Sequence, residues 1–345
     1  YALAKSDFLI TNLDHEQIKN GSSLSNDQFE NEKFDYIITN PPFGEDWHDD
    51  KIFVMNEISK PDSRFIAAPS VGEGSLLFLQ HLISKGHKKS RIGMISNGSA
   101  LLTGDAGSGE SEIRKWILEN DYVEAIVRLP DDLFFRTDMP TYLWILSFNK
   151  DEERKNKVQL LDAENHFVLL KKIIGKKRKE ISETYFKDII KNYKEFQNKG
   201  ISRIINNKEF GFKKIQIDRS DKKLEDDFNK KPKPNLDLRI YDFLKIDEDE
   251  ENYYESNIKN LIQNSWLDKK STKVGYRINF EKYFPKVKLV RTIKKIKNDL
   301  DNLDSEYLKL IDKLEVSQNN KFNDDKTIES LDKLEKILPK KWRLK

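Results

Sequence analysis

Cysteine is absent from this 345-residue chain. Its absence excludes disulfides, thiolate nucleophiles and cysteine-based zinc sites, and suits a reducing cytoplasm. No stretch approaches the roughly 18 apolar residues of a membrane-spanning helix, and no secretory leader is visible. A strong excess of one charge is also missing. The 62 Lys and Arg against 59 Asp and Glu leave +3, so any basic surface must be local. No internal repeat is found. The five histidines, His15, His48, His81, His87 and His166, show no metal-ligand spacing with carboxylates and read as surface or helix residues. What is present is enough for folding: 20 Phe, 12 Tyr and 5 Trp can build cores in a chain long enough for two or three domains. The chain opens Tyr-Ala-Leu-Ala-Lys inside a helical pattern, so upstream sequence is expected.

Helix is expected at 2–10 and 76–83, with buried strands at 34–39 and 91–96. The run 34–39 is compact and apolar, as in a strand covered on both faces. A glycine-rich loop, 103–111, leads into a helix over 112–119. Strands at 122–128 and 141–148 are joined too closely for a helical crossover and should form an antiparallel hairpin. The pattern is α/β, with a mainly parallel sheet closed by an antiparallel edge hairpin. From about residue 150 the order becomes mixed. The segment 230–235 reads as a basic linker and 246–252 as a solvated acidic run. Leu289, Ile293, Ile296, Leu300, Leu303, Tyr307, Leu310 and Leu314 recur at alternating fours and threes, a two-position seam suited to pairing with another helix.

The chemistry concentrates at 34–44, Phe-Asp-Tyr-Ile-Ile-Thr-Asn-Pro-Pro-Phe-Gly. In open α/β sheets, ligands bind outside the carboxyl ends of the strands. Pro41 and Pro42 have fixed φ and no N–H, and Pro41 drives Asn40 into extended backbone. The result is a stiff turn whose carbonyls remain free to face a ligand. Asn40 adds an uncharged acceptor and Phe43 a flat π face. Two acceptors without charge suit an exocyclic amine such as adenine N6. Taking both hydrogens at Asn40 Oδ1 and the Pro41 carbonyl draws the nitrogen toward tetrahedral geometry, ready to attack a methyl sulfonium. An ordinary turn after a strand is the plainer alternative for Asn-Pro-Pro alone.

This stretch resembles the catalytic motif of the amino-methylating, S-adenosylmethionine-dependent DNA methyltransferases. More narrowly, the ordered set 2–10, 91–102, 112–148, 210–219 and 266–284 resembles the modification (M) subunit of type I restriction–modification systems. The resemblance implies adenine-N6 methylation of DNA. Asn40, Pro41, Pro42 and Phe43 would hold the flipped base, and Phe134 or Phe135 would stack on it, with the other packing in the core. Thr137, Pro140 and Thr141 fall in the same block, in supporting roles. The cofactor would be S-adenosylmethionine, reached through Gly21, Ser22, Leu24 and Asn40, with no metal. Two departures stand out. The family's strand–acid–glycine-rich cofactor motif is not in this chain, and Gly104, Gly107 and Gly109 follow a late strand and do not replace it. Gly21-Ser22 stands where the family has Gly-Asp. The chain therefore reads as a C-terminal portion of an M subunit, inactive alone.

The resemblance divides the chain into a catalytic domain at 1–150, a mixed accessory region at 151–285, a coiled-coil-type helix at 286–320 and a tail at 321–345. It implies double-stranded DNA as partner, and a specificity (S) subunit docked through the helix at 289–314. A second M subunit and a restriction subunit can join, in the cytoplasm and with no membrane. The stretch 45–50 reads as a mobile loop beside the site, and the cluster 171–180 as a phosphate contact or a solvated helix face. The end, 337–345, reads as a helix end, with a faint likeness to the opening of a target-recognition domain. Two other readings stay open: a scaffold without catalysis, and a methyltransferase acting on RNA or a protein glutamine.

Overall fold

Each apolar run in the first 150 residues has at least one face that must leave water, and a shared sheet is how they do so. The computed structural model describes residues 1–220, 233–285 and 292–318. The chain divides into a larger unit, Tyr1–Pro285, and a smaller one, Lys286–Lys345. In the larger unit, α1 (Ala2–Ile10) is followed by β1 (Tyr36–Thr39), α2 (Lys51–Ile58), α3 (Ser75–Ser84), β2 (Arg91–Asn97), α4 (Ser99–Leu102), α5 (Gly109–Glu119), β3 (Val123–Arg128) and β4 (Thr141–Ser147). Then come β5 (Lys157–Asp162), the hairpin β6 (Val168–Ile174) and β7 (Lys177–Glu180), α6 (Glu183–Glu195) and β8 (Ser202–Asn206).

The main sheet has the order β1-β2-β4-β3-β5-β8. β1 and β2 are parallel, as are β3 and β5, and β4 runs antiparallel between β2 and β3, so β1, β2, β3 and β5 point one way. β3 and β4 pair antiparallel as expected, but their hairpin is not at the edge. β4 buries Tyr142, Trp144 and Leu146, with Thr141 and Ser147 buried as well, and a strand apolar on both faces gains most in the sheet interior. The antiparallel edge is β8. Because β5 and β8 extend this sheet, it runs past residue 150 into the region expected to be accessory.

β1 also departs from expectation. It is an edge strand, and only one of its faces is covered: Ile37 packs on the core, whereas Tyr36 and Ile38 are 77% and 89% exposed. α1 buries no residue at all.

The main core lies between the sheet and helices α3 and α5. Ser108 Oγ caps α5 by accepting from Ser111 N, and Glu110 and Glu112 sit in its first turn, where the helix dipole favours acids. The capped helix starts at Gly109, three residues before the expected start. Gly109 is there for space. An added Cβ would lie 1.7 Å from the Ala68 carbonyl oxygen. That close approach lets Glu110 Oε1 accept from Ser70 N at 2.8 Å, which fixes the segment before α3.

A second, three-stranded antiparallel sheet, β10-β9-β11, combines β9 (Gly211–Arg219), β10 (Ile240–Lys245) and β11 (Ser265–Tyr276). It packs Ile215, Ile217, Leu244 and Leu267 around Tyr254 of α7 (Glu250–Asn257). The acidic run at 246–252 is partly structural: Asp249 caps α7 by accepting from Asn252 N at 2.8 Å. After β11 the chain returns to the main core through Ile278 and, from α8 (Phe280–Tyr283), Phe280.

The smaller unit contains α9 (Ile293–Gln318), a single helix over the expected seam, with Ile293, Ile296, Leu300 and Leu303 exposed. Leu289, residues 230–232 of the linker, the tail at 321–345 and the side chains of Leu310 and Leu314 lie outside the described residues.

Gly109→Ala forces the Ala68 backbone away and should destabilise the protein by about 1–3 kcal/mol. Urea unfolding measures it, and an unchanged midpoint would refute the close approach.

Candidate active site at the carboxyl edge of the sheet

Because β1, β2, β3 and β5 point one way, their carboxyl ends share one rim. Asn40 to Phe43 follow β1, Asn97 and Gly98 follow β2, and the loop 129–140 follows β3. Asn97 Oδ1 accepts from Ser99 N at 3.1 Å and so starts α4. From β1 to β3 is three strand positions, about 14 Å at sheet spacing.

The Asn40 side chain is exposed and has no hydrogen-bond partner among the described residues. Pro41 is buried and Phe43 half-buried, so the turn is seated while its amide faces solvent. Its far end is held by Trp47, which is buried among Leu24, Val54, Phe65 and Leu77. Trp47 Nε1 donates to the Ser70 carbonyl at 2.9 Å, and its N–H donates to Val71 O at 3.2 Å. The stretch 45–50 is therefore anchored, contrary to the expected mobile loop. It ends in a single 3-10 turn, His48–Asp50, that leads into α2.

The aromatic pair separates. Phe134 packs on Val127, Leu129, Leu161, Ala163 and Ile189, whereas Phe135 is 55% exposed. Thr137 Oγ1 accepts from Met139 N at 3.1 Å within the same loop. Pro140 is half-buried. Thr141 is buried with its hydroxyl unpartnered, as are Asp131 Oδ1 and Arg128 Nε. Arg128 reaches Glu164 at 3.3 Å. Unpaired buried polar atoms are uncommon in folded proteins, and here three gather at the mouth of β3 and β4. Arg128 and Asp131 were not among the expected site residues. The available signal was an arginine at the end of β3 and an acid three residues further on.

The turn expected to meet a cofactor is held from below. Ser22 Oγ accepts from Leu24 N at 3.2 Å. Leu24 itself is buried in the Trp47 cluster, so its side chain serves the core and cannot face a ligand. Arg64 donates to the Ser23 carbonyl at 2.8 Å and to the Leu24 carbonyl, and pairs with Glu57 at 2.8 Å. Arg64 also meets His81 Nδ1 at 2.8 Å. A guanidinium can only donate, so Nδ1 must accept and the ring is neutral. Burial, and then the Arg64 charge, push the His81 pKa down to about 4, against a smaller opposing pull from Asp27. Lys85 completes the group by pairing with Asp27. The hollow beside this turn measures about 190 Å³ and is lined by Gly21, Ser23, Asn26, Phe34, Ile37 and His81 among others. That is smaller than the ~300–1,000 Å³ of small-molecule pockets. With Leu24 in the core and no acid at Ser22, the residues present do not form an S-adenosylmethionine site by themselves.

A histidine near 6.5 when unfolded and about 4 when folded binds its proton more tightly in the unfolded chain. Stability should therefore fall as pH drops from 6.5 to 4, by up to about 3 kcal/mol from this group. His81→Asn keeps an acceptor toward Arg64 and should flatten that part of the stability–pH curve. Urea midpoints across the range measure it, and an equally steep fall in the variant would refute the assignment.

Residues 1–236 match the family described as N-6 DNA Methylase. The chain is 29% identical over 216 residues to the type I restriction enzyme MjaIX methylase subunit of Methanocaldococcus jannaschii, covering 62% of this chain and 37% of that protein. It is 28% identical over 289 residues to the MjaVIII methylase subunit of the same organism, covering 79% of this chain and 45% of the relative. A solved type I restriction–modification methyltransferase subunit from Streptococcus thermophilus shares the fold at a TM-score of 0.51 and 22% identity, over 61% of this chain and 43% of that one. The chain thus spans less than half the length of these relatives.

Proposed function

Because the chain belongs to the N-6 DNA methylase family, we propose that it holds the target adenine in a site-specific adenine-N6 DNA methyltransferase, as part of the methylase (M) subunit of a type I restriction–modification complex. The observation that supports this reading most directly is the exposed, unpartnered Asn40 amide on a seated double-proline turn at the carboxyl end of β1. Asn40 Oδ1 and the Pro41 carbonyl accept the two N6 hydrogens of an extruded adenine. Phe43, or the exposed Phe135 across the rim, stacks on its ring. The two acceptors favour a nitrogen with its lone pair released from the ring. The turn is rigid before the base arrives, so little reorganisation is needed.

S-adenosylmethionine is the methyl donor that the family implies, and this chain alone does not enclose it. The uncovered face of β1, with Tyr36 and Ile38, offers an apolar surface on which the donor-holding part of the enzyme packs. Target choice belongs to a specificity subunit. The exposed seam Ile293, Ile296, Leu300 and Leu303 of α9 suits a helix of that partner. Among the described residues no helix is long and apolar enough to cross a membrane.

In the complete protein assembled with its specificity subunit, Asn40→Ala should lower DNA methylation by about 100-fold or more while DNA binding persists. Methyl transfer to plasmid DNA followed by methyl-sensitive cleavage reads this, and retained methylation would sink the mechanism. Methylation of an RNA or of a protein glutamine in place of plasmid DNA would overturn the substrate. Isothermal titration of residues 1–345 with S-adenosylmethionine should show no micromolar binding, and micromolar heat would refute the divided site.

A further inference from the structure

The cluster at 171–180 does not lie on a helix, as one sequence reading had it. It is the outer end of the β6–β7 hairpin, with six Lys and Arg in ten residues and one acid, Glu180. β6 and β7 pair at Ile174 and Lys177 around a turn at Gly175, whose φ is +60°. Lys171, Lys172 and Arg178 are exposed and have no carboxylate within ion-pair distance among the described residues. Lys176 alone of this cluster has such a partner, Asp138, at 3.2 Å.

The hairpin is docked on the loop that carries the exposed aromatic. Lys176 N donates to the Phe135 carbonyl at 2.9 Å, and Arg178 N and Lys179 N donate to the Asp132 carbonyl at 2.9 and 3.2 Å. Lys177 Nζ lies 5.3 Å from the Phe135 ring. A Cβ on Gly175 would stand 2.6 Å from the Phe135 carbonyl oxygen, so only glycine permits this approach. The hairpin leaves the carboxyl end of β5, on the same rim as Asn40 and one strand beyond β3. Its seven-residue strand extends about 23 Å. Cations without acid partners, held by main-chain bonds beside an exposed aromatic, match a polyanion that runs past that aromatic.

We propose that the β6–β7 hairpin clamps the DNA backbone beside the target base, with Lys171, Lys172 and Arg178 on phosphates, and thereby sets the position of Phe135. The proposal rests on the methyltransferase reading and assigns the surface that grips its substrate. Phosphate contacts fix register and orientation without reading sequence, which suits an enzyme whose target is chosen elsewhere. Each phosphate contact adds about 0.9 to the slope of log affinity against log salt.

The test uses the complete protein in its specificity-subunit complex and a duplex that the wild type methylates. Binding is measured from roughly 50 to 200 mM salt. Lys171→Gln, Lys172→Gln and Arg178→Gln together should lower the slope by about 2–3 and weaken target and non-target duplexes alike. Lys245→Gln, Lys259→Gln and Lys269→Gln, an equal charge loss on the second sheet and the turn after α7, should leave the slope unchanged. Gly175→Ala should dim the fluorescence rise of 2-aminopurine at the target position. An unchanged slope in the first variant, equal losses in both triple variants, or loss of a protein subunit without a slope change would overturn the clamp. Asn40→Ala run in parallel separates the two levels. If it abolishes methylation while the hairpin variant binds like wild type, the clamp is wrong and the enzyme reading stands. Absence of both DNA binding and methylation in the wild type would overturn both.

Discussion

The Arg114 guanidinium is buried completely in α5 and joins three parts of the fold that sequence keeps apart. It donates to the Tyr276 carbonyl at 2.7 Å, to Ala100 at 3.1 Å and to Thr103 at 2.5 Å. Burial pulls its pKa down to about 10, partly opposed by Glu110. It still carries its charge at neutral pH, and three carbonyl dipoles stand in for water. The consequence reaches the carboxyl rim of the main sheet. Ala100 and Thr103 belong to the segment that turns off the end of β2, and Tyr276 ends β11. Two neighbouring bonds reinforce the joint, from Tyr276 N to Ser111 Oγ at 2.9 Å and from Ile278 N to the Leu101 carbonyl at 3.0 Å. The second sheet is therefore a brace for the rim, and the interactions that hold it are mostly side-chain bonds to main-chain groups, which are costly to leave unmade when buried.

With that brace behind it, the rim combines two kinds of stiffness. The Asn40 side chain has no hydrogen-bond partner among the described residues. Its position has to come from backbone alone, and two prolines, a buried Pro41 and the Trp47 anchor supply it. Phe135 is held differently, through carbonyl oxygens that accept from the β6–β7 hairpin. One acceptor pair is rigid by covalent geometry. The aromatic across the rim is rigid only as far as its hairpin is.

What the sequence disclosed and what it hid divide along the range of the interactions. The Asn-Pro-Pro-Phe turn is local, so its stiffness and its place at a strand end were legible. β1 to β4, helices α1, α3 and α5, and the antiparallel pairing of β3 with β4 were legible for the same reason, whereas α2 and the elements between residues 150 and 285 were not located. Sheet order was not. That β4 inserts between β2 and β3 depends on pairing across more than forty residues. The cluster at 171–180 was ambiguous because exposed lysines carry no periodicity, so nothing separated a hairpin from a helix face. Leu24 looked available because it follows the Gly21-Ser22 turn closely, and only packing showed it among Trp47, Val54 and Phe65. Arg64 and His81 are 17 residues apart, and neither carries a sign that one will neutralise the other.

The uneven burial of this chain has its own logic. β3 is buried at every residue, yet the outer face of β1 exposes Ile38 at 89% and α1 buries nothing. A nine-residue helix is too short to be stable in water on propensity alone. Its order must come from packing, and it shows Leu3, Leu9 and Ile10 to solvent. An exposed apolar strand edge is a liability unless something pairs with it. A polypeptide laid along β1 would bury Tyr36 and Ile38. Burial along that edge would also fix the strand from which the Asn40 turn departs.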